Sequence, residues 1–563
     1  MCGIAGILGA GGSARPMIEA LTHRGPDGVF VEDGEGRSLA HARLSIIDLE
    51  GGWQPLHGAG STVIGNGEIY NYVELAQEFG LEGQMGTGSD FEPLLHIYAK
   101  EGPAAFHRLR GMYAFCLVGN DGRTWLVRDP FGIKPLYLLE HEGSVAFASE
   151  PRAFLAAGLI GAELSEDRAR ELLAFNYTLT GETIFKGLRR LAPGEIVEVV
   201  DGKIVPREVR RAIAARPPSR GGDEAQLIKR LDSVLEDSVR VHQRSDVPYG
   251  LFLSGGIDSA TIATLMARLN ARPVTAFTCG FEAAGAHDER GQAERVAAAL
   301  NLDWRETSFG EEDFWRILPQ VAWAMDDPTA DYATLPTYKL AEAAKGTLTV
   351  VLTGEGGDEL FGGYGRYRRA LRPAWLGGRP AEPRTEDKDV VERWRAAASA
   401  PKTLSGLQRA QWADIATWLP NDLLLKLDRC LMAHGLEGRT PFLDPQVADF
   451  AFPLPDRMKV RGRYGKWLLR KWLEQACPAA DPWGRKKGFT VPVDAWIAPR
   501  AGEIAGRIGG VEAVRRILGP DAGAAFTAQA TGRWPLLFFA VWSLIHLEGA
   551  EPAEALAAVA GRP

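Results

Sequence analysis

Residues 247–269 read VPYGLFLSGGIDSATIATLMARL. Val247–Leu253 is apolar enough for a buried strand, Ser254-Gly255-Gly256-Ile257-Asp258-Ser259 is a turn, and Ala260–Leu269 has the composition and apolar spacing of a helix. The same order recurs at Leu348–Leu352 (LTVVL), followed by Thr353-Gly354-Glu355-Gly356-Gly357-Asp358-Glu359 and a segment opening at Leu360. Two strand–loop–helix units with helix-like stretches between them predict a parallel, doubly wound α/β sheet, with both loops at its carboxyl edge. At such an edge, unpaired N–H groups and the helix dipole favour a bound phosphate.

Outward from this unit the pattern changes. Residues 1–206 show short β-type runs at Tyr113–Val118, Thr124–Val127, Val145–Ala148, Glu195–Val200 and Lys203–Val205, the last pair joined by the hairpin signal Asp201–Gly202. Residues 207–223 (REVRRAIAARPPSRGGD) lose the alternation and gain Pro, Gly and Arg, which reads as a linker. A second domain is expected over 224–548, with an exposed, mobile insertion from about Leu371 to Pro401, and an Ala-rich tail over 549–563. Several domains are expected at 563 residues.

The net charge of −8 and pI near 5.8 argue against a general nucleic-acid surface. The five cysteines are scattered and lack CxxC spacing, so neither a disulfide framework nor a zinc site is indicated, and a reducing cytoplasm is the expected location. The amino terminus lacks the features of a secretory signal. Pro535–Leu547 (PLLFFAVWSLIHL), the longest apolar stretch, is too short for a membrane span and reads as a buried core helix. Neither nucleic-acid nor membrane partners are expected.

Cys2 carries the first chemistry. The small residue at position two permits removal of Met1, and the freed α-amino group, titrating near pH 8, can act as base for the adjacent thiol. Four further stretches accompany it: His23–Asp27 (HRGPD), Ala42–Ile46 (ARLSI), Asn66–Asn71 (NGEIYN) and Thr87–Asp90 (TGSD). Together they resemble the class II glutamine amidotransferases, which are amino-terminal-nucleophile hydrolases. The resemblance implies an αββα sandwich in which Cys2 attacks the side-chain amide of glutamine and releases ammonia. On the matching positions Asn66 and the Gly67 N–H would stabilise the oxyanion. Arg43 would hold the glutamine α-carboxylate and Asp90 its α-ammonium, with Glu68 also near the substrate.

SGGIDS is not GxxxxGK[ST], and no P-loop lysine follows, which favours cleavage between the α and β phosphates over γ-phosphate transfer. The loop, Ser254, Gly255, Gly256, Asp258 and Ser259 included, resembles the pyrophosphate loop of the N-type ATP pyrophosphatases. Three carboxylates in TGEGGDE repel one another unless cations or substrate groups neutralise them, pointing to Mg2+; a solvated acidic turn is the other reading. With that loop and the following LFGGY, the match narrows to the glutamine-hydrolysing asparagine synthetases. The resemblance implies Asp258 and Asp358 as Mg2+–pyrophosphate ligands, Glu355 as a proton-handling residue, and Lys466 in YGK as a lysine that steadies phosphate charge. Phe252, Cys279 and Thr353–Gly354 occupy the positions that wall the adenine slot. It extends to KLDRCLMAHGLEGRTPFLD (426–444) and RKKGFTVPV (485–493), and makes a homodimer the expected assembly.

The implied reaction adenylates a carboxylate with ATP and lets ammonia displace AMP, so a protected passage lined by apolar residues is expected between the domains. Some relatives carry a Thr-Thr-x-Arg-Ala-Ser segment near the aspartate pocket. Here Asp326–Thr334 reads DDPTADYAT, without the arginine. Either aspartate binds in a rearranged site or another carboxylate is the acceptor.

Overall fold

The computed structural model describes residues 2–9, 12–219, 221–282, 289–372, 385–484, 491–528 and 532–561. Residues 485–490 of RKKGFTVPV and 373–384 of the insertion lie outside them.

Alternating sequences in the amino-terminal half fold into two antiparallel six-stranded sheets. One has the order Arg189–Arg190, Tyr137–His141, Ser144–Ala148, Gly3–Leu8, Arg37–Arg43, Gly28–Gly34. The other runs Lys203–Val209, Glu195–Val200, Thr124–Arg128, Gly111–Val118, Ser61–Ile69, Leu56–Gly58. Ile4, Leu39 and Phe147 of the first sheet meet Ile64, Cys116 and Leu126 of the second between the layers. The helix Glu92–Glu101 covers the outer face of the second sheet, with Leu94, Leu95 and Tyr98 packed beside Phe115 and Trp125. The helices Arg15–Glu19, Arg152–Ala156 and Glu166–Phe175 cover the first, where Met17, Phe154 and Leu172 share a cluster with Ala5 and Tyr137. The layers are therefore αββα. Gly3–Leu8 is buried at every position because it is an interior strand with a layer on each face, and this places Cys2 at its start, inside the molecule.

The last strand runs four residues beyond Val205, to Val209. Pro206 lies within it, which an edge strand permits because one row of N–H groups faces outward. A register shift at Ile196/Val197 absorbs the mismatch.

The carboxyl-terminal half is built on a five-stranded parallel sheet with the order Asp303–Phe309, Thr275–Phe281, Tyr249–Phe252, Val350–Leu352, Glu437–Arg439. Its direction of winding reverses between Tyr249–Phe252 and Val350–Leu352, the topological switch point at which doubly wound sheets bind ligands. SGGIDS and TGEGGDE leave those two strands. The helix after SGGIDS is Ile257–Leu269, so Asp258 and Ser259 belong to its first turn, whereas sequence spacing predicts a start at Ala260.

Arg533–His546 is the buried core helix expected around Pro535–Leu547, with Trp542 fully enclosed. No helix of the described residues is long and apolar enough to cross a membrane. The Ala-rich end contains the helix Pro552–Ala560, whose Ala555, Leu556 and Val559 are buried in the core, so most of it is packed structure rather than a loose tail. Within the insertion, Lys388–Ala397 is a helix capped by Asp387, and its Trp394 packs with Tyr177 and Leu179 of the amino-terminal half. The charged residues that make this stretch read as exposed occupy its outer face, and Val390 and Trp394 the inner.

Candidate active sites

The Cys2 amide donates to Asn66 Oδ1 at 3.2 Å, and its Sγ lies 3.8 Å from the Leu44 carbonyl oxygen. The first contact fixes the orientation of the Asn66 amide: its oxygen faces the Cys2 N–H, and its buried Nδ2 has no hydrogen-bond partner among the described residues. A buried, unmatched donor is costly unless something else uses it. Gly67, next in the strand, has φ +133°, and a Cβ there would lie 2.0 Å from the Met112 carbonyl oxygen. Gly67→Ala should therefore push apart the strands that hold Asn66 and cut ammonia release from glutamine by at least about 100-fold. Undiminished glutamine hydrolysis in that variant would show that the backbone here has no part in the chemistry.

Arg43, at the end of Arg37–Arg43, is buried under Trp53, 4.8 Å from the ring centroid, and donates through Nη2 to the Asp48 carbonyl oxygen at 2.5 Å. Its buried Nη1 lacks a partner among the described residues. Burial lowers its pKa, but a guanidinium starts high enough to stay charged. Asp90 accepts from the Ile69 N–H at 2.7 Å, and burial pushes its carboxyl up to about 7. Burial also raises Glu68 well above the usual carboxylate range.

Sequence reasoning missed two side chains from the other half of the chain. Arg439 reaches Glu68 Oε1 at 3.3 Å and Glu437 Oε1 at 2.5 Å, and donates to the carbonyls of His242 and Arg244. Burial opposes ionisation of Glu437, yet Arg439 and Lys134 help hold its carboxyl down to about 2. Both residues lie in GLEGRTPFLD, a matched stretch to which the sequence assigns no role.

At the second site, Ser254 Oγ lies 2.9 Å from Ser259 Oγ and accepts from the Gly256 N–H at 3.1 Å, closing the loop upon itself. The Gly255 N–H donates to a carboxylate oxygen of Glu289 at 3.2 Å, so the loop already presents a donor to an anionic oxygen. Lys466 joins the two loops: its Nζ contacts Asp258 Oδ2 and lies 2.7 Å from Asp358 Oδ1. Burial would lower its pKa, but the two carboxylates raise it. Lys466 has φ +55°, an uncommon value outside glycine, and its N–H donates to the Phe361 carbonyl at 3.2 Å. The carboxylates crowd against glycine: a Cβ on Gly357 would lie 2.5 Å from Asp258 Oδ1 and one on Gly363 1.7 Å from Asp358 Oδ1. Phe252 and Cys279 sit on adjacent strands, and Thr353 and Gly354 follow a third. Cys279 is buried. Burial raises Glu355, while Lys426 draws it back down.

Residues 1–209 match the family model of the glutamine amidotransferase domain, and residues 230–544 match that of asparagine synthase. The chain belongs to the asparagine synthase family. It is 34% identical to asparagine synthetase [glutamine-hydrolyzing] 1 of Bacillus subtilis (strain 168), over 88% of each chain. To a putative asparagine synthetase [glutamine-hydrolyzing] of Mycobacterium bovis it is 34% identical over 97% of this chain and 98% of the relative. Asparagine synthetase B of Escherichia coli (strain K12) is 29% identical over 86% of this chain and 80% of its own.

The two domains meet along a seam of two kinds. One part is apolar: Leu44, Ile46, Met112 and Phe131 share a core cluster with Leu352, Phe361 and Phe442. The other part is charged. Arg24 Nη1 lies 2.6 Å from Glu150 and 2.8 Å from Asp428, and Arg429 lies 3.0 Å from Asp326 and 3.1 Å from Asp428, all with side chains at most 2% exposed. Charges can be buried there because each has opposite neighbours.

The segment Asp326–Thr334 is divided by this seam. Asp326 is held by Arg429 and by the Arg152 N–H, while Asp327 pairs with Arg190 and accepts from the Tyr137 hydroxyl at 2.7 Å. Asp326 uses both oxygens in these contacts, whereas Asp327 uses Oδ2 alone and its buried Oδ1 has no hydrogen-bond partner among the described residues. Thr329 donates to Asp422, and Asp331 Oδ2 accepts from Lys426 Nζ at 3.0 Å.

Proposed function

We propose that this chain makes asparagine from aspartate, glutamine and ATP, with glutamine hydrolysis in residues 1–206 and adenylation in 224–548. The observation that carries this reading is the placement of the Glu437–Arg439 strand. It pairs with Val350–Leu352, the strand that leads into Thr353–Glu355, and its Arg439 pairs with Glu68, two residues after the Asn66 that accepts from the Cys2 N–H. One short element thus touches both sites, as a reaction that passes ammonia from one to the other requires.

In the first half-reaction Cys2, freed of Met1, attacks the glutamine amide carbon with its own amine as base. Asn66 Nδ2 and the Gly67 N–H receive the oxyanion, Arg43 Nη1 the α-carboxylate, and Asp90 the α-ammonium beside Glu68. Ammonia departs and water releases glutamate from the thioester. In the second, the aspartate β-carboxylate attacks the α-phosphorus of ATP held by Ser254, Gly255, Gly256 and Ser259, releasing pyrophosphate; the adenine lies against Phe252, Cys279, Thr353 and Gly354. Lys466 balances the phosphate charge. Ammonia then attacks the acyl-adenylate, Glu355 takes a proton from it, and AMP leaves. Asp258 and Asp358 are suited to Mg2+ arriving with the nucleotide, since two carboxylates plus phosphate oxygens and water meet its preferences; no group of three or more ligating side chains was found among the described residues. Bound there, Mg2+ would neutralise phosphate charge. The family resemblance supports a homodimer, and cysteine usage a cytoplasmic setting.

The test is to incubate the enzyme with glutamine, MgATP and a panel of carboxylic acids, measuring AMP, pyrophosphate and amide. Aspartate should stimulate pyrophosphate release and yield asparagine. Stimulation by another acid and none by aspartate would transfer the reading to an amidotransferase with a different acceptor.

A further inference from the structure

No arginine stands in Asp326–Thr334 to meet a substrate carboxylate, and Asp326 and Asp327 are fully buried, ion-paired with Arg429 and Arg190 at the seam. The cation at this place is Lys426, on the helix Leu424–Met432. Its side chain is 6% exposed, and Nζ lies 3.0 Å from Asp331 Oδ2. Asp331 is itself held in place, since its Oδ1 accepts from the Ala333 N–H at 3.0 Å. Behind the pair, Asp422 accepts from the Thr329 hydroxyl and from the Trp418 indole N–H, occupying both its oxygens. Burial favours the neutral form of Lys426, but Asp331, Glu355 and Asp422 hold it charged. The helix that carries Lys426 packs on the strand Glu437–Arg439, which pairs with Val350–Leu352, the strand that leads into Thr353–Glu359. Asp331 is 15% exposed and the neighbouring Tyr332 is 37% exposed, so this side of the pair opens outward.

We propose that Lys426 and Asp331 form the head-group subsite for the acceptor, Lys426 taking the α-carboxylate and Asp331 the α-ammonium of a zwitterionic amino acid. This rests on the reaction proposed above and names how its acceptor is chosen. A zwitterionic head group offers the two charges that the Lys–Asp pair now satisfies internally, so binding exchanges one ion pair for two without leaving a buried charge alone. Asp331 beside Lys426 also disfavours a plain dicarboxylate, which brings negative charge and no ammonium. The site thereby selects an amino acid over a sugar acid or simple organic acid. Lys426 and Asp331 are binding residues in this account.

The experiment uses ammonia as nitrogen source and follows pyrophosphate release with three compounds: aspartate, β-alanine, which lacks the α-carboxylate, and succinate, which lacks the α-ammonium. Wild-type enzyme should prefer aspartate to both by about 100-fold in kcat/KM. Lys426→Met should raise the KM for aspartate by about 100-fold and leave the KM for β-alanine within about 3-fold, while kcat falls with both because Lys426 also draws Glu355 down; Asp331→Asn should raise the KM for aspartate likewise, with the KM for succinate as the insensitive one. Lys426→Arg should restore part of the aspartate preference. Equal rises in KM for aspartate and β-alanine in Lys426→Met, or an unchanged aspartate KM, would overturn the assignment. If a variant melts at assay temperature, the wild-type comparison decides: no preference for aspartate over its two truncated relatives overturns the subsite. Wild-type enzyme unable to use aspartate at all would instead remove the reaction on which the subsite rests.

Discussion

Cys2→Ala should abolish glutamine-dependent asparagine formation, with a loss of roughly 10^5-fold or more, and leave ammonia-dependent synthesis nearly intact. The loss is large because no other group can replace the thiol. Cys116, Cys279, Cys430 and Cys477 are buried in separate parts of the fold, and burial raises Cys116 to about 12, which removes its nucleophilic form near neutrality. The donors around Cys2 would survive the substitution, since Asn66 is held through the Cys2 backbone N–H rather than its side chain. Glutamine should still bind, and only its hydrolysis should fail. Ammonia supplied from solution bypasses the first site, so the second domain should continue to release AMP and pyrophosphate. Measuring asparagine with glutamine and with ammonium at the same pH separates the two. Loss of both reactions in a folded protein would contradict the division of labour between domains.

The features legible in the sequence are those whose meaning is local. A strand, a glycine turn and a helix start within one stretch fix SGGIDS at the edge of a parallel sheet, whereas Asn66–Gly67 alone reads as a hairpin turn and takes its oxyanion role only from the resemblance carried by the motifs around it. Asp258 and Asp358 come from like-built loops on adjacent strands, so the fold class itself brings them together. Lys426 and Asp331 were not legible as a pair, being separated by 95 residues, and neither belongs to a local pattern that specifies the other. Glu437 and Arg439 illustrate the same limit at larger scale: an edge strand of one domain becomes a wall of the other domain's site only after docking. The charged part of the seam is illegible for the same reason: Arg24 and Glu150 meet Asp428 and Arg429 only when the domains dock, and together they exclude solvent while carrying charge.

Arg429→Leu should be the most destabilising single change at that seam. Arg429 lies 3.0 Å from Asp326, 3.1 Å from Asp428 and 3.5 Å from Glu150, and donates to the Tyr137 hydroxyl at 3.3 Å. Leucine fills part of the volume but leaves three buried carboxylates short of a counter-charge, a defect that typically costs about 3–5 kcal/mol. Thermal melting should therefore begin several degrees earlier. The pH dependence gives a second handle. Burial alone would raise Glu150 and Asp428, but Arg429 with His23, Arg152 and Arg24 holds Glu150 well below the usual range, and Arg24 with Lys134 and Arg429 holds Asp428 down. A carboxylate depressed in the folded state adds stability above its unfolded pKa, and that contribution disappears as pH falls through its folded value. The network should thus stabilise wild-type enzyme fully at neutral pH and weaken progressively below about pH 4. In the variant those carboxylates titrate nearer, or above, their ordinary values, so part of this contribution is already missing at neutrality. The difference in melting temperature between the two proteins should be widest near neutrality and shrink in acid, whereas a difference that stays constant down to about pH 3 would show that packing, not charge, is what Arg429 supplies.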